Sequence, residues 1–374
     1  MESSILIVTA VGAIAMAQIW FTLRKPPPPA KAGLSAVQKI RQMDIPGTVF
    51  LMGSIVCLLL ALQWGGTTYS WSDSRVFGCL IGFGLLLAVF LFLQFRDQVN
   101  CTIPLYIFKC RSVGVSCVFM LFFQLSFVAQ TYYWPIYFQS IRNTSARDSG
   151  IYLLPLVISN GITTLVVGWL VSKIGHYVPF MICGSALLAV GSGLYQLISA
   201  HSPASEWIGF QIVSGLGYGM SIQLPILAIQ VVLDDVDVPT GCVMVIFFQC
   251  LGGALATSVG QNIFTDSLIG KLHKLHGVDA SAIVDAGAKD FRAIVPQELL
   301  FEVIDAFQSA LRRVFLLAMA VATIAFASSW LMEWRKVPQD PKRLSEAALT
   351  EGTKEQTGLD NTNEKQGEDS KNIA

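Results

Sequence analysis

An all-α integral membrane bundle is the fold class this sequence predicts, and three observations carry it. Nine windows between residues 3 and 332 contain no Asp, Glu, Lys, Arg or His, and each is at least 19 residues long. The 25 Lys and Arg and the 25 Asp and Glu all lie outside them. Charged residues make up 13% of the chain, against about 25% in soluble domains, and mean hydropathy is +0.58. A spanning helix needs about 20 apolar residues. Hydrocarbon offers backbone polar groups no water, so each window must satisfy its own hydrogen bonds as a helix; the alternating pattern of a membrane β-barrel is absent.

The windows run 3–23, 45–72, 76–95, 112–141, 149–172, 177–200, 207–233, 238–265 and 314–332. The first contains Ala13-Ile14-Ala15 and Ala15-Met16-Ala17, which look like small-residue cleavage sites. Its flanks are those of a retained helix, residues 1–24: Glu2 is the only charge before it, and Arg24 and Lys25 follow it. Residues 25–44 read as a cytoplasmic linker in which Pro26-Pro27-Pro28-Pro29 is a stiff, extended spacer. The second and third windows and the loop after them form a unit over 45–110. The remaining six windows form a unit over 111–333, interrupted by one long outer connection, 266–313, with an amphipathic helix expected over 295–307. Residues 334–374 are polar without a large apolar cluster, so a disordered cytoplasmic tail is expected there.

Orientation follows from Lys and Arg, which stay on the cytoplasmic side. The connections after the first, third and fifth windows hold Arg24, Lys25, Lys31, Lys39, Arg41, Arg96, Lys109, Arg111 and Lys173; those after the second, fourth and sixth hold Arg75, Arg142 and Arg147. This places the N-terminus outside and the C-terminus inside, in agreement with Arg335, Lys336, Lys342 and Arg343 after the last window. Asn143-Thr144-Ser145 is then a glycosylation sequon on the outer side but close to a helix end, whereas Asn100-Cys101-Thr102 faces the cytoplasm and should stay bare.

Several function classes are set aside. Zero net charge leaves no basic face for a nucleic acid. Six of the eight cysteines lie inside windows, and Cys101 and Cys110 lack metal-ligand spacing, so they read as packing residues and no metal or cofactor is expected. An intramembrane enzyme would need a base at membrane depth, and the windows contain none.

What the windows do contain is amides, glycines and aromatics. Gln124, Gln130, Gln223, Gln230 and Gln249 must face protein or water, since an amide left in lipid costs kilocalories. Gln223 and Gln230, seven apart, share a helix face. Together the five read as a polar stripe lining a substrate cavity; singly, each reads equally well as an interhelical hydrogen bond that holds the bundle. Gly215, Gly217 and Gly219 with Pro225, and Gly252 with Gly253, allow either close helix approach or a hinge. Tyr132, Tyr133 and Trp134 read as an interfacial aromatic belt rather than a ligand stack.

The connection Gly168-Trp169-Leu170-Val171-Ser172-Lys173-Ile174-Gly175-His176-Tyr177 resembles the cytoplasmic loop signature of the major facilitator superfamily: a helix-end glycine, a short charged turn and a second glycine. Ser172 stands where that signature has an acidic residue, and Lys173 remains. Residues 61–71, 133–139, 149–156 and 215–230 add, in order, a resemblance to the fungal fourteen-helix drug:proton antiporter branch, covering about residues 40–335.

The resemblance implies that the second and third windows are linker helices. The last six windows would then form the C-terminal six-helix half, two three-helix repeats related by inverted pseudo-symmetry. Gly168, Ser172, Lys173 and Gly175 would be the gating loop. It implies efflux of a small organic compound, a drug, toxin or fungal secondary metabolite, by proton antiport, with the substrate and the bilayer as partners. The plasma membrane is the family's usual location, with vacuolar or vesicular membrane as the rival. The family's first five helices and its Gly-Pro antiporter motif have no counterpart in this sequence. The expectation is a product truncated at its N-terminus, or one whose missing half comes from a second copy or a partner. A non-transporting scaffold or an inactive product is the alternative.

Overall fold

The computed structural model of the chain describes residues 12, 16, 18, 44–66, 69–96, 105–275 and 279–337. The expected first helix, the proline spacer, the Asn100 sequon and the tail from 338 lie outside the described residues. Eight spans among those residues are long and apolar enough to cross a bilayer. They correspond one to one with the second to ninth charge-free windows.

The first two spans are α1 (Ile45–Trp64) and α2 (Ser74–Arg96). A bundle follows, made of α3 (Arg111–Ser140), α4 (Leu154–Ile174), α5 (Val178–Leu194), α6 (Ala204–Ser221), α7 (Leu224–Val232), α8 (Val238–Leu272), α9 (Ala280–Ile294) and α10 (Leu300–Ser329). α6 and α7 are two pieces of one span. Proline marks the first turn of four of these helices, as Pro155, Pro179, Pro225 and Pro239, where its missing N–H is no loss.

A short helix, Ala146–Ile151, leads into α4, and Ser145 caps it. The Ser145 hydroxyl accepts from the Asp148 N–H at 3.1 Å and donates to Asp148 Oδ2 at 2.7 Å. Ser145→Ala is expected to cost about 1 kcal/mol through loss of the cap, measurable as lower thermal stability in detergent.

Cross-bundle hydrogen bonds sort the connections into two ends. At one end Arg111 Nε donates to Leu331 O at 2.9 Å, Tyr177 Oη to Glu333 O at 3.0 Å, and Tyr106 Oη to Asp237 Oδ1 at 2.8 Å. At the other, Arg142 Nη1 donates to Ala200 O at 3.0 Å and Ser202 O at 3.1 Å, Arg292 Nη2 to Ser140 O at 2.8 Å, and Gln308 Nε2 to Ile198 O at 3.1 Å. The spans therefore alternate in direction, as successive membrane crossings must. Arg292 binds carbonyls at the C-terminus of α3, where positive charge complements the helix dipole, and Arg142 binds carbonyls of the α5–α6 loop. Partial burial holds the Arg292 guanidinium below its ordinary pKa.

α6 runs wedged between α4 and α5, and glycine makes this possible on both sides. A Cβ at Gly215 would meet Leu156 O of α4 at 2.5 Å, and one at Gly219 would meet Thr163 Cβ of α4 at 3.0 Å. A Cβ at Gly217, on the opposite face, would meet Gly184 O of α5 at 2.8 Å and Leu187 C at 2.9 Å. Gly184 and Gly191 of α5 answer it, facing Met220 and Ser214. Gly252 of α8 lies equally close to Leu121 of α3, while Gly253 has only ordinary contacts. Close approach without bulk is how membrane helices gain contact when lipid is as apolar as their side chains.

Two expectations are corrected. Tyr133 and Trp134 are fully buried in the core and only Tyr132 is exposed, so this aromatic run is not an interfacial belt. Trp134 packs edge-on to Tyr195 at 4.9 Å and against Phe138 at 5.3 Å, so bundle packing has absorbed the ring surface. The outer connection is also more helical than expected. α8 continues through Asp266 and Lys271, α9 occupies 280–294 as two pieces broken at Gly287 (φ 76°, ψ −173°), and 295–307 is divided between a turn and the start of α10. Once past the hydrocarbon, a charge no longer opposes helix propagation. Val303, Ala306 and Phe307 instead extend the buried face of α10 outward.

Candidate functional site

The five glutamines fall into three environments. Gln130 is fully buried, and its Nε2 donates to Ser126 Oγ at 3.0 Å and Ser192 Oγ at 2.6 Å. Ser126 in turn donates to Ala318 O at 2.8 Å, tying α3, α5 and α10 together. That amide holds helices. Gln124 of α3 meets Tyr218 of α6, whose Oη donates to Gln124 Oε1 at 2.8 Å, and Gln249 of α8 is half-buried. The Tyr218 ring is stacked on Phe127, with centroids 3.5 Å apart, and on Phe123 at 5.3 Å.

Gln223 and Gln230 are different, for both are exposed. They sit where the sixth described span is broken. α6 stops at Ser221, and Gln223 takes the N-cap position of α7 with φ −92° and ψ −15°. Pro225 cannot donate back to Ser221, so the helix must restart rather than continue. The Leu227 N–H then bonds the Gln223 carbonyl at 3.1 Å. One α7 face thus carries both amides, at its start and near its end.

That face opens on a cavity of about 620 Å³ between α4 and α6–α7. Gln223 and Gln230 line it from one side, and Thr164, Gly168 and Ser172 of α4 from the other. Thr164 Oγ1 bonds Asn160 O at 2.9 Å and Gly219 O at 3.2 Å, bridging the two walls. The loop-signature residues lie at its end. Gly175 ends α4 in the left-handed conformation, φ 73°, with its N–H on Val171 O at 2.8 Å, a geometry that favours glycine. Lys173 Nζ stands over the Trp169 ring, 4.0 Å from its centroid. A Cβ at Gly168 would touch nothing, so packing does not require that glycine.

A larger groove, about 870 Å³, runs between α4 and α6 toward the opposite end. Ile158, Ile162, Ile212 and Leu216 line much of it, and Arg142 at its rim is engaged with carbonyls. Such a groove suits lipid or a neighbouring helix. The smaller cavity is the candidate site because exposed amides and hydroxyls give it directional contacts.

The loop sequon lies apart from both. Asn143 is exposed at φ 56°, and Ser145, its third residue, is committed to the helix cap. Sequence reasoning did not single out Tyr218, Thr164 or the α5 glycines. Tyr218 lies between two of the glycines that were read, and the seven-residue spacing of Gly184 and Gly191 repeats that of Gln223 and Gln230.

No family model matches the chain. Individual relatives do. It is 59% identical over 341 residues to the MFS-type transporter ltbE of Aspergillus luteorubrus, covering 91% of this chain and 62% of that protein. It is 37% identical to VdtG, an MFS-type transporter of Byssochlamys spectabilis, covering 87% and 59% respectively. The efflux pump aflT of Aspergillus parasiticus is also 37% identical, with 88% and 65% covered. A solved bacterial homologue of the human lysosomal transporter Spinster aligns with TM-score 0.48 at 12% identity over 76% of this chain and 67% of that one, too loose a likeness to match residues. The chain thus spans about three fifths of the length of these relatives. A multi-pass helical membrane bundle with this sequence similarity belongs with the fungal MFS-type transporters and efflux pumps, of the major facilitator superfamily.

Proposed function

We propose that this chain forms one wall of the path by which a small organic compound, such as a drug, toxin or secondary metabolite, is exported from a fungal cell in exchange for protons. The plasma membrane is its site of action, with the Gly175 end facing the cytoplasm. One observation carries this reading: Gln223 and Gln230 are exposed amides inside an uncharged span, open to a cavity with room for a small molecule. Exposed amides at membrane depth belong against water or a ligand.

The relatives' names, MFS-type transporter and efflux pump, supply the direction of transport. Alternating access needs a second wall. In this reading it is supplied by a second copy or by a partner that provides the other half. The gating role falls to Gly168, Ser172, Lys173 and Gly175, of which Gly168 and Ser172 line the cavity and Gly175 accepts from the N–H of the lining residue Val337. Break and closure on the other side fall to Pro225 and the α6–α7 joint.

Untargeted mass spectrometry of cells and medium tests this against a non-transporting scaffold. A strain lacking the gene is expected to retain at least one low-mass compound that an overexpressing strain secretes, and a protonophore should abolish the difference. Identical profiles in the two strains would favour the scaffold.

A further inference from the structure

The segment leaving α10 does not run off into solvent. Trp330, Leu331 and Trp334 are exposed, but Met332 between them is 2% exposed and buried in the same core as Met120 and Met181. Two helices hold the segment from above, α3 and α5. Arg111 at the start of α3 donates to Leu331 O at 2.9 Å, Tyr177 before α5 donates to Glu333 O at 3.0 Å, and Ser116 Oγ contacts Met332 Sδ at 3.9 Å.

Beyond Glu333 the chain turns under the α4–α5 loop. His176 and Lys336 form an isolated antiparallel bridge, and the Val337 N–H donates to Gly175 O at 2.9 Å. The Val337 side chain then lines the cavity beside Val171, Gln223 and Gln230. Residues that the sequence assigns to a polar tail thus close the inner end of the site. The left-handed turn at Gly175 has a second use here: it presents its carbonyl to the strap.

We propose that residues 330–337 are a strap whose outer part, Lys336 and Val337, latches onto Gly175–His176 and covers the Val171 end of the polar cavity, and whose release uncovers that end. Met332 is the fixed anchor, since it is buried among core side chains. The latch is weak by construction: the Val337 N–H bond to Gly175 O, which belongs to the His176–Lys336 bridge, and the Tyr177–Glu333 bond hold it, and surface segments held by so few contacts open locally at small cost. Movement of the strap changes what reaches the Val171 end of the cavity without any rearrangement of the helices. The strap holds or fails whether or not the cavity carries a transported compound.

The test reads cavity opening alone, in the full-length chain in native membranes. Val171 lines the cavity and is 2% exposed, so Val171→Cys reports its accessibility to a thiol reagent added from the Gly175 side, followed by peptide-resolved mass spectrometry. On that background Tyr177→Phe keeps the ring and removes the bond to Glu333. Labelling is expected to accelerate about fivefold, the change that loss of one net hydrogen bond produces. Val337→Pro removes the N–H that binds Gly175 O and should accelerate it more than tenfold. Val337→Ile should leave the rate unchanged. If Val337→Pro misfolds and fails to reach the membrane, Tyr177→Phe still decides. Equal labelling rates in Tyr177→Phe and its parent would overturn the strap.

Discussion

Gly217→Ala is expected to destabilise the bundle by about 1–3 kcal/mol, the range for forcing bulk into a filled core. The new methyl would meet Leu188 N, Gly184 O at 2.8 Å and Leu187 C at 2.9 Å. All three are backbone atoms of α5, which cannot rotate away as a side chain can. Relief requires α5 and α6 to separate, and separation strips contacts along the seam formed by Gly184, Gly191, Ser214 and Ser221. Ser221 Oγ donates to Met181 O at 3.1 Å across the same seam, so that bond would lengthen too. Gly215→Ala should act similarly through α4, where Leu156 O lies at 2.5 Å from the added atom. Gly161→Ala is the matched control, because a Cβ there meets nothing within 4 Å. Alanine is the better helix former by about 1 kcal/mol, so that variant should hold or gain stability. Thermal melting followed by gel filtration in detergent separates the three. Equal melting temperatures for Gly217→Ala and Gly161→Ala would show that the α5–α6 contact is not as close as described.

The same glycines show what could be read from the residues alone. Charge-free windows located eight described spans because charge at membrane depth is so costly that its absence is nearly a definition. The windows could not locate helix ends beyond the hydrocarbon, which is why α8 runs seven residues past Thr265 to Leu272. Small residues at 215, 217 and 219 announced a special helix, but not whether it packs or bends. That depended on Leu156 and Gly184, which are distant in sequence. The bend lies elsewhere, at Gln223 and Pro225. The seven-residue spacing of Gln223 and Gln230 placed both on one face, and both line one cavity. Nothing in the residue type separates Gln130 from them. Its partners Ser126 and Ser192 decide that, and Ser192 comes from another helix. Val337 carried no signal at all, being an apolar residue at the start of a polar tail.

The second large effect concerns those two exposed amides. No other described side chain engages Gln223 or Gln230, so truncating them should leave the fold intact. Each amide offers a bound compound one or two hydrogen bonds, worth about 1 kcal/mol apiece net. Losing both should therefore lower transport efficiency by about 30-fold, which is the ratio that about 2 kcal/mol represents. Gln130→Ala makes the opposite contrast. It removes bonds to Ser126 and Ser192 and should lower stability, with transport per folded molecule little changed.

Transport per folded molecule is the decisive quantity. It is measured as efflux of the compound found in the metabolite comparison, normalised to correctly inserted protein, for the double variant Gln223→Ala, Gln230→Ala in a chain that transports. A drop of at least tenfold with unchanged melting temperature is the predicted result. Unchanged efflux would remove these residues, and the cavity they line, from the transport path.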